Sequence, residues 1–142
     1  MSVPVTPRRA LRLLLVEDHG DTARIMCRLL RGEGYEVETA ADVATALELA
    51  GSQSFDILVS DLGLPDGSGL DLMRALRSQG AEIPGIALSG YGSEQDVKRS
   101  REAGFSAHLT KPVSLPKLEE AMARAVGSGK RVAGGEEGRG MR

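Results

Sequence analysis

The apolar pattern begins at Leu11. Leu11 to Val16 reads L-R-L-L-L-V, a nearly continuous aliphatic run of the kind found in parallel strands covered on both faces. The polar cluster Glu17 to Asp21 follows. Helical spacing then runs from about Thr22 to Arg31, with Ala23, Met26, Cys27 and Leu30 on one stripe and Gly32 and Gly34 as the stop. The alternation then repeats. Tyr35 to Thr39 predicts a second strand, and Asp42 is placed to cap a helix carrying Val43, Ala46, Leu47 and Ala50. Ile57 to Ser60 predicts a third strand, entered through Phe55 and Asp56 and ending at Asp61. A loop from Leu62 to Gly69 leads to a helix with Leu70, Met73, Leu76 and Arg77 at helical spacing. Pro84 to Ser89 reads as the fourth strand. Ser93 followed by Asp96 resembles a capping box opening a polar helix to Ala103. Ser106 to Thr110 is a short fifth strand. Ser114 can cap a last helix with Pro116 in its first turn and Leu115, Leu118, Met122 and Val126 on its buried side.

Strands alternating with helices in this way predict an α/β fold: a five-stranded, doubly wound parallel sheet with five helices on its two faces. Right-handed crossovers bring the loops after the strands to one edge, where such folds place their active crevice. The expected organisation is a flexible lead over 1–10, one domain over 11–126, and a flexible Gly-rich, charged tail over 127–142.

Composition narrows the function. The chain of 142 residues can bury a core without disulfide or structural metal. A net charge of −2 offers no bulk attraction to nucleic acid or an anionic membrane. Phe55, Phe105, Tyr35 and Tyr91 are the whole aromatic complement, too sparse for a base-stacking platform. The single Cys27 excludes an internal disulfide and reads as a small buried apolar residue. No apolar run approaches membrane-spanning length, and Met1 to Arg9 lacks the apolar core of a signal peptide, so a cytoplasmic protein without membrane insertion is expected.

The topology gathers polar residues that lie far apart in sequence. Glu17 and Asp18 follow strand one, Asp61 ends strand three, Ser89 ends strand four, and Lys111 follows strand five. All fall at one edge of the sheet. Carboxylates held close repel one another unless a cation joins them, and hard oxygen donors with retained waters favour Mg²⁺. The ion would sit between Asp18 and Asp61, with Glu17 reaching it directly or through water and the Gly63 backbone carbonyl as a further ligand. Phosphoryl transfer mainly needs positioning and charge neutralisation. Mg²⁺, the Lys111 ammonium and the Ser89 hydroxyl would each cover one oxygen while Asp61 attacks phosphorus as a carboxylate nucleophile.

Taken together, L-L-L-V-E-D, S-D-L-G-L-P-D-G-S-G, A-L-S-G-Y and L-T-K-P resemble the response-regulator receiver (CheY-like) family, over about Leu11 to Val126. The resemblance implies a flavodoxin-like strand order, 2-1-3-4-5. It implies that Asp61 is the phosphoacceptor, Glu17 and Asp18 the acidic metal pair, Ser89 the switch hydroxyl and Lys111 the family's lysine. Pro112 matches a proline that is frequently cis in the family, which would aim Lys111 into the crevice. The implied partner is a histidine kinase or histidine phosphotransfer protein. Where the family usually has Tyr or Phe, three residues before the lysine, this chain has His108, smaller and able to carry charge. His108 with I-A-L-S-G-Y-G and H-L-T-K-P resembles receivers attached to hybrid histidine kinases, pointing by analogy to a phosphorelay.

Other positions carry plainer readings. Asp66 lies in Pro65-Asp66-Gly67, strong turn chemistry, and is expected to be a turn residue rather than a ligand. His19 is expected at the surface rather than in the crevice. Tyr91 either tunes access to the site or packs its loop. Ile25 and Leu29 either widen the buried face of the first helix or, with Pro112, form a docking surface for a partner's four-helix bundle. The sparse apolar stripe over Ser93 to Ala103 marks that helix as the moving part. Two other functions compete. An Mg²⁺-dependent phosphohydrolase of the haloacid-dehalogenase type would carry a second Asp two residues after the nucleophile, where this chain has Gly63. An unphosphorylated interaction module would not need the acidic pair, acceptor, hydroxyl and lysine all in place. Because the chain ends soon after the fifth helix, no output domain of its own is expected, and no phosphate-cradling G-x-x-x-x-G-K-[ST] loop or G-x-G-x-x-G turn suggests a nucleotide enzyme.

Overall fold

The computed structural model describes residues 10–127. Apart from Ala10 and Gly127, the expected lead and tail lie outside the described residues. The sheet strands are β1 (Arg12–Val16), β2 (Glu36–Ala40), β3 (Ile57–Asp61), β6 (Gly85–Ser89) and β7 (Ala107–Thr110); a small hairpin, β4 (Gly63–Leu64) with β5 (Gly67–Ser68), interrupts the loop after β3. The helices are α1 (Gly20–Gly32), α2 (Val43–Ser52), α3 (Gly69–Ser78), α4 (Glu94–Ala103) and α5 (Leu115–Gly127). The five-stranded sheet runs β2-β1-β3-β6-β7, parallel throughout, which is the expected 2-1-3-4-5 order once the hairpin is set aside.

Successive side chains of a strand point to opposite faces, so an unbroken aliphatic run fills two cores. Leu13 and Leu15 join Ile57, Val59, Ile86 and Leu88 beneath α1 and α5. Leu14 and Val16 join Leu58, Ala87 and Phe105 beneath α2, α3 and α4. Leu13, Leu14, Leu15 and Val16 of β1 are fully buried, and each such side chain contributes about 1.5–3 kcal/mol relative to exposure. The central strands are therefore the rigid base on which the polar edge is mounted.

Several boundaries differ from expectation for identifiable reasons. Helix α1 begins at Gly20 rather than Thr22, with His19 in extended backbone ahead of it and Asp21 in the first turn, where the helix dipole favours an acid. It ends as expected: Gly34, at φ 101°, lets its own N–H reach the Arg31 carbonyl and that of Tyr35 reach Leu30. Helix α5 continues through Gly127, one residue into the expected tail, and Leu115 and Val126 are only partly buried, whereas Ala121 and Ala125 are buried. The reciprocal capping box lies at Ser68 and Asp71 of α3, not at Ser93. Ser93 does accept from the Asp96 backbone N–H, but the Asp96 carboxylate takes the Ser93 hydroxyl at 2.8 Å instead of the cap backbone.

Candidate functional site

The ends of β1, β3, β6 and β7 meet at one rim. Glu17 is held there by its backbone N–H to the Ala40 carbonyl at 2.9 Å, so β2 fixes where β1 ends. Asp61 closes β3. Its successor Leu62 donates to the Leu88 carbonyl, and Ser60 Oγ donates to the Asp61 carbonyl at 2.8 Å. The chain then folds back tightly: Gly69 donates to the Leu62 carbonyl, and a Cβ at position 69 would lie 2.6 Å from the Asp61 carbonyl oxygen. Only a residue without a side chain permits that approach. Lys111 is set by its N–H to the Ser89 carbonyl at 2.7 Å, and the Lys111–Pro112 peptide is cis.

These anchors bring the expected side chains together. Lys111 Nζ lies 2.9 Å from Asp61 Oδ2 and 3.1 Å from Glu17 Oε1. Glu17 and Asp61 are buried, Asp18 more open. Glu17, Asp18, His19 and Asp61 can each offer one ligand atom within 4.8 Å of the others. His19 is at the surface as expected, but it also reaches the acidic pair. Its ring is largely exposed, yet Nδ1 lies 3.0 Å from Glu17 Oε2 and 3.5 Å from Asp18 Oδ1, and its backbone N–H also donates to Glu17. It stands at the helix N-cap without a side-chain capping bond, because the carboxylates hold the imidazole.

The electrostatics follow from this geometry. Burial pushes the Glu17 carboxyl up, but hydrogen bonds from the His19 backbone and ring and from Lys111 outweigh it and hold Glu17 below its usual range. Asp61 has fewer donors. Burial raises it, the Lys111 hydrogen bond only partly offsets that, and the neighbouring Glu17 charge adds to the rise. Burial works against the Lys111 charge, but its bonds to Asp61 and Glu17 win and raise it, keeping the ammonium charged. Hydrogen bonding to Glu17, with the charges of Asp18 and Glu17, raises His19. Three acidic side chains and one ammonium leave net negative charge with oxygen donors in reach, a donor set that suits a hard divalent cation.

Ser89 is buried at the same rim. Its hydroxyl bonds the Tyr91 carbonyl, accepts from the Tyr91 N–H at 3.1 Å, and lies 2.9 Å from His108 Nε2. The Tyr91 ring is 78% exposed, which removes the expectation that it packs its loop. Ile25 and Leu29 are 60% and 48% exposed and so do not extend the core; Pro112 is exposed too. Gly63 is exposed in the hairpin. Asp66 is a turn residue with a further task that the turn motif did not disclose. Its carboxylate accepts from the backbone N–H groups of Val43 and Ala44 at 2.8 and 3.0 Å, capping α2 from a different loop. Sequence reasoning also passed over Ser100, a small polar residue in the sparse Val97–Ser100–Ala103 stripe of α4. It is 1% exposed and contacts His108. No helix among the described residues is long and apolar enough to cross a membrane.

The family model for the response regulator receiver domain matches residues 13–123. Among curated proteins, the chain is 37% identical over 109 residues to the two-component response regulator PhoP of Pseudomonas aeruginosa, spanning 77% of this chain and 48% of PhoP. It is 28% identical over 127 residues to the sensor histidine kinase RcsC of Salmonella typhi, spanning 86% of this chain and 13% of RcsC. The chain thus spans less than half the length of these relatives. Among solved structures, the chemotaxis response regulator CheY4 of Vibrio cholerae superposes with a TM-score of 0.78 at 28% identity, covering 82% of this chain and 99% of CheY4.

Proposed function

Since this chain belongs to the response regulator receiver domain family, we propose that it accepts a phosphoryl group on Asp61 from a phosphohistidine of a histidine kinase or phosphotransfer protein. The observation that carries this reading is the single Lys111 ammonium bonded to both Asp61 and Glu17 beside Asp18. A carboxylate oxygen of Asp61 attacks phosphorus, the P–N bond breaks with its electron pair leaving on the donor imidazole, and an acyl phosphate forms on Asp61. Lys111, freed from one carboxylate oxygen as the phosphoryl group arrives, neutralises charge on that group. Asp18, Asp61, Glu17 (directly or through water) and the Gly63 carbonyl would hold Mg²⁺. When bound, that ion supplies charge neutralisation on the transferring oxygens. Ser89 turns its hydroxyl to a remaining phosphoryl oxygen, and the segment from Ser89 to Ala103 reorders to present a changed surface to partners. The likeness to the RcsC sensor kinase supports a phosphorelay setting, standing alone or as one part of a longer kinase.

The test is intact mass after treatment with acetyl phosphate and Mg²⁺, for the native chain and Asp61→Asn, with an EDTA arm. A single phosphoryl adduct in the native chain, lost in Asp61→Asn and with EDTA, is the expected result. No adduct in any arm overturns the assignment in favour of an interaction module, and sustained turnover of a phosphate ester would favour a hydrolase.

A further inference from the structure

Helix α4 has little to hold it. Its buried residues are Ser100 and Ala103, with Val97 partly buried. A hydroxyl taken as far from water as that of Ser100 must be hydrogen-bonded or it destabilises the fold. Its proton goes to the Val97 carbonyl at 2.9 Å, within the helix. Its lone pairs face His108 Nδ1 at 3.1 Å, a contact that requires the ring to donate there. With Nδ1 donating, the other nitrogen of the neutral ring, Nε2, is an acceptor. It lies 2.9 Å from Ser89 Oγ, whose hydroxyl turns its proton either to Nε2 or to the Tyr91 carbonyl, and the link forms when it turns to Nε2. His108 pairs in register with Ala87, so its strand is hydrogen-bonded to the one that ends at Ser89. One rigid imidazole therefore spans from the hydroxyl at the rim to the buried hydroxyl of the least anchored helix. A phenyl or phenol ring at this position has no nitrogen with which to do so.

Resting on the reading that Ser89 serves the phosphoryl site, we propose that His108 is a positioning residue that ties the Ser89 hydroxyl to helix α4 through Ser100. The ring's two nitrogens diverge at a fixed angle, so it keeps both partners only while Ser89 and α4 hold this spacing. When Ser89 turns toward a group on Asp61, the imidazole follows it or loses it. Either way the Ser100 bond is disturbed and α4 is left with Val97 and Ala103 as anchors. The link is a hydrogen-bonded relay from Ser89 through His108 to Ser100.

The experiment uses the full chain labelled with ¹⁵N and a mutant cycle of Ser100→Ala, His108→Phe and both together. Without any phosphoryl mimic, amides of Val97 to Ala103 exchange about five-fold or more faster in each single variant, as loss of one modest hydrogen bond implies. The double variant is no faster than the singles, because all three break one link. Ala is the better helix former, so helix propensity alone would move Ser100→Ala the other way. The Gly90 and Tyr91 amide resonances also shift in Ser100→Ala, at the far end of the relay. Unchanged α4 exchange in Ser100→Ala, or effects that add in the double variant, would overturn the proposal. Adding beryllofluoride with Mg²⁺ brings the native α4 exchange up to the variant level. A response confined to residues 89–91, with α4 unmoved, also overturns the link. No response at Ser89 at all counts against the phosphoacceptor reading, while the cycle without the mimic still decides the link.

Discussion

The Lys111 ammonium donates to Asp61 Oδ2 at 2.9 Å, joining groups 50 residues apart, and the same nitrogen lies 3.1 Å from Glu17 Oε1. One cation thus holds two buried carboxylates together. Lys111→Met keeps much of the stem and removes the charge. Asp61 then faces Glu17 without compensation, and a charge-assisted hydrogen bond of about 1.5–3 kcal/mol is lost from the site. Phosphoryl incorporation from acetyl phosphate, followed by intact mass, should fall about ten-fold or more, with the far-ultraviolet circular dichroism unchanged. Native rates in Lys111→Met would remove the lysine from the chemistry.

Gly69 tests whether the loop after Asp61 depends on close approach or on chain flexibility. If flexibility were the issue, Gly69→Ala at the start of α3 would be neutral or stabilising by up to about 1 kcal/mol. A Cβ there meets the Asp61 carbonyl oxygen at 2.6 Å, Leu62 Cδ2 at 2.9 Å and Ser60 Oγ at 3.0 Å. The nearest of these is backbone and has no easy way to move aside. The expected outcome is destabilisation by about 1–3 kcal/mol, the usual cost of overpacking, read from urea unfolding midpoints. A stabilised variant would show that the fold-back has room to spare.

Asp66 gives a pH prediction away from the phosphoryl site. Hydrogen bonds from the Val43 and Ala44 backbone N–H groups hold its carboxyl below the ordinary carboxylate range in the folded chain. A depressed folded value means stabilisation that is fully present above the unfolded value and disappears as pH falls through the folded one. Asp66→Ala should therefore melt at a lower temperature than the native chain near neutral pH. The gap should narrow as the medium is acidified through and below the usual Asp range. A constant gap across that range would mean that the carboxylate charge is not what caps α2.

The sheet and the gathering of polar residues at its rim were legible because both follow from local pattern. The run L-R-L-L-L-V announces burial on both faces, and topology alone then carries Glu17, Asp18, Asp61, Ser89 and Lys111 to one edge. What stayed hidden depends on distances between loops. Pro65-Asp66-Gly67 reads as a turn, but nothing in it says that the carboxylate crosses to α2, 22 or 23 residues away. His19 is the surface residue it reads as, but the sequence does not say that the backbone at the head of α1 turns its ring onto Glu17. The pattern S-x-x-D at Ser93 is as good a capping-box signal as the one at Ser68. Only the orientation of the acid separates them, and Asp96 turns to the serine hydroxyl. Ser100 was overlooked because a serine in a polar helix draws no notice unless its position on the weak apolar stripe is weighed.

The exposed pair on α1 separates partner transfer from intrinsic chemistry. Ile25 and Leu29 lie one turn apart and leave 60% and 48% of their surface in water, and neither belongs to the buried core. A shallow cleft beside Leu29 continues to Val113 and Leu115, next to the cis Lys111–Pro112 peptide. Exposed apolar side chains at this position serve no packing purpose, so Ile25→Ala with Leu29→Ala should leave the unfolding midpoint within about 0.5 kcal/mol of native. Incorporation from acetyl phosphate should also be unchanged, because Asp61, Lys111 and the acidic pair are untouched. Transfer from a phosphorylated histidine protein depends on docking, and loss of two apolar contacts of about 1 kcal/mol each should slow it at least ten-fold. The measurement is a pair of rates on one variant, one from the small phosphodonor and one from phosphohistidine kinases of the same genome tested in parallel. If the variant takes phosphoryl groups from the preferred kinase at the native rate, the docking face lies elsewhere on the rim.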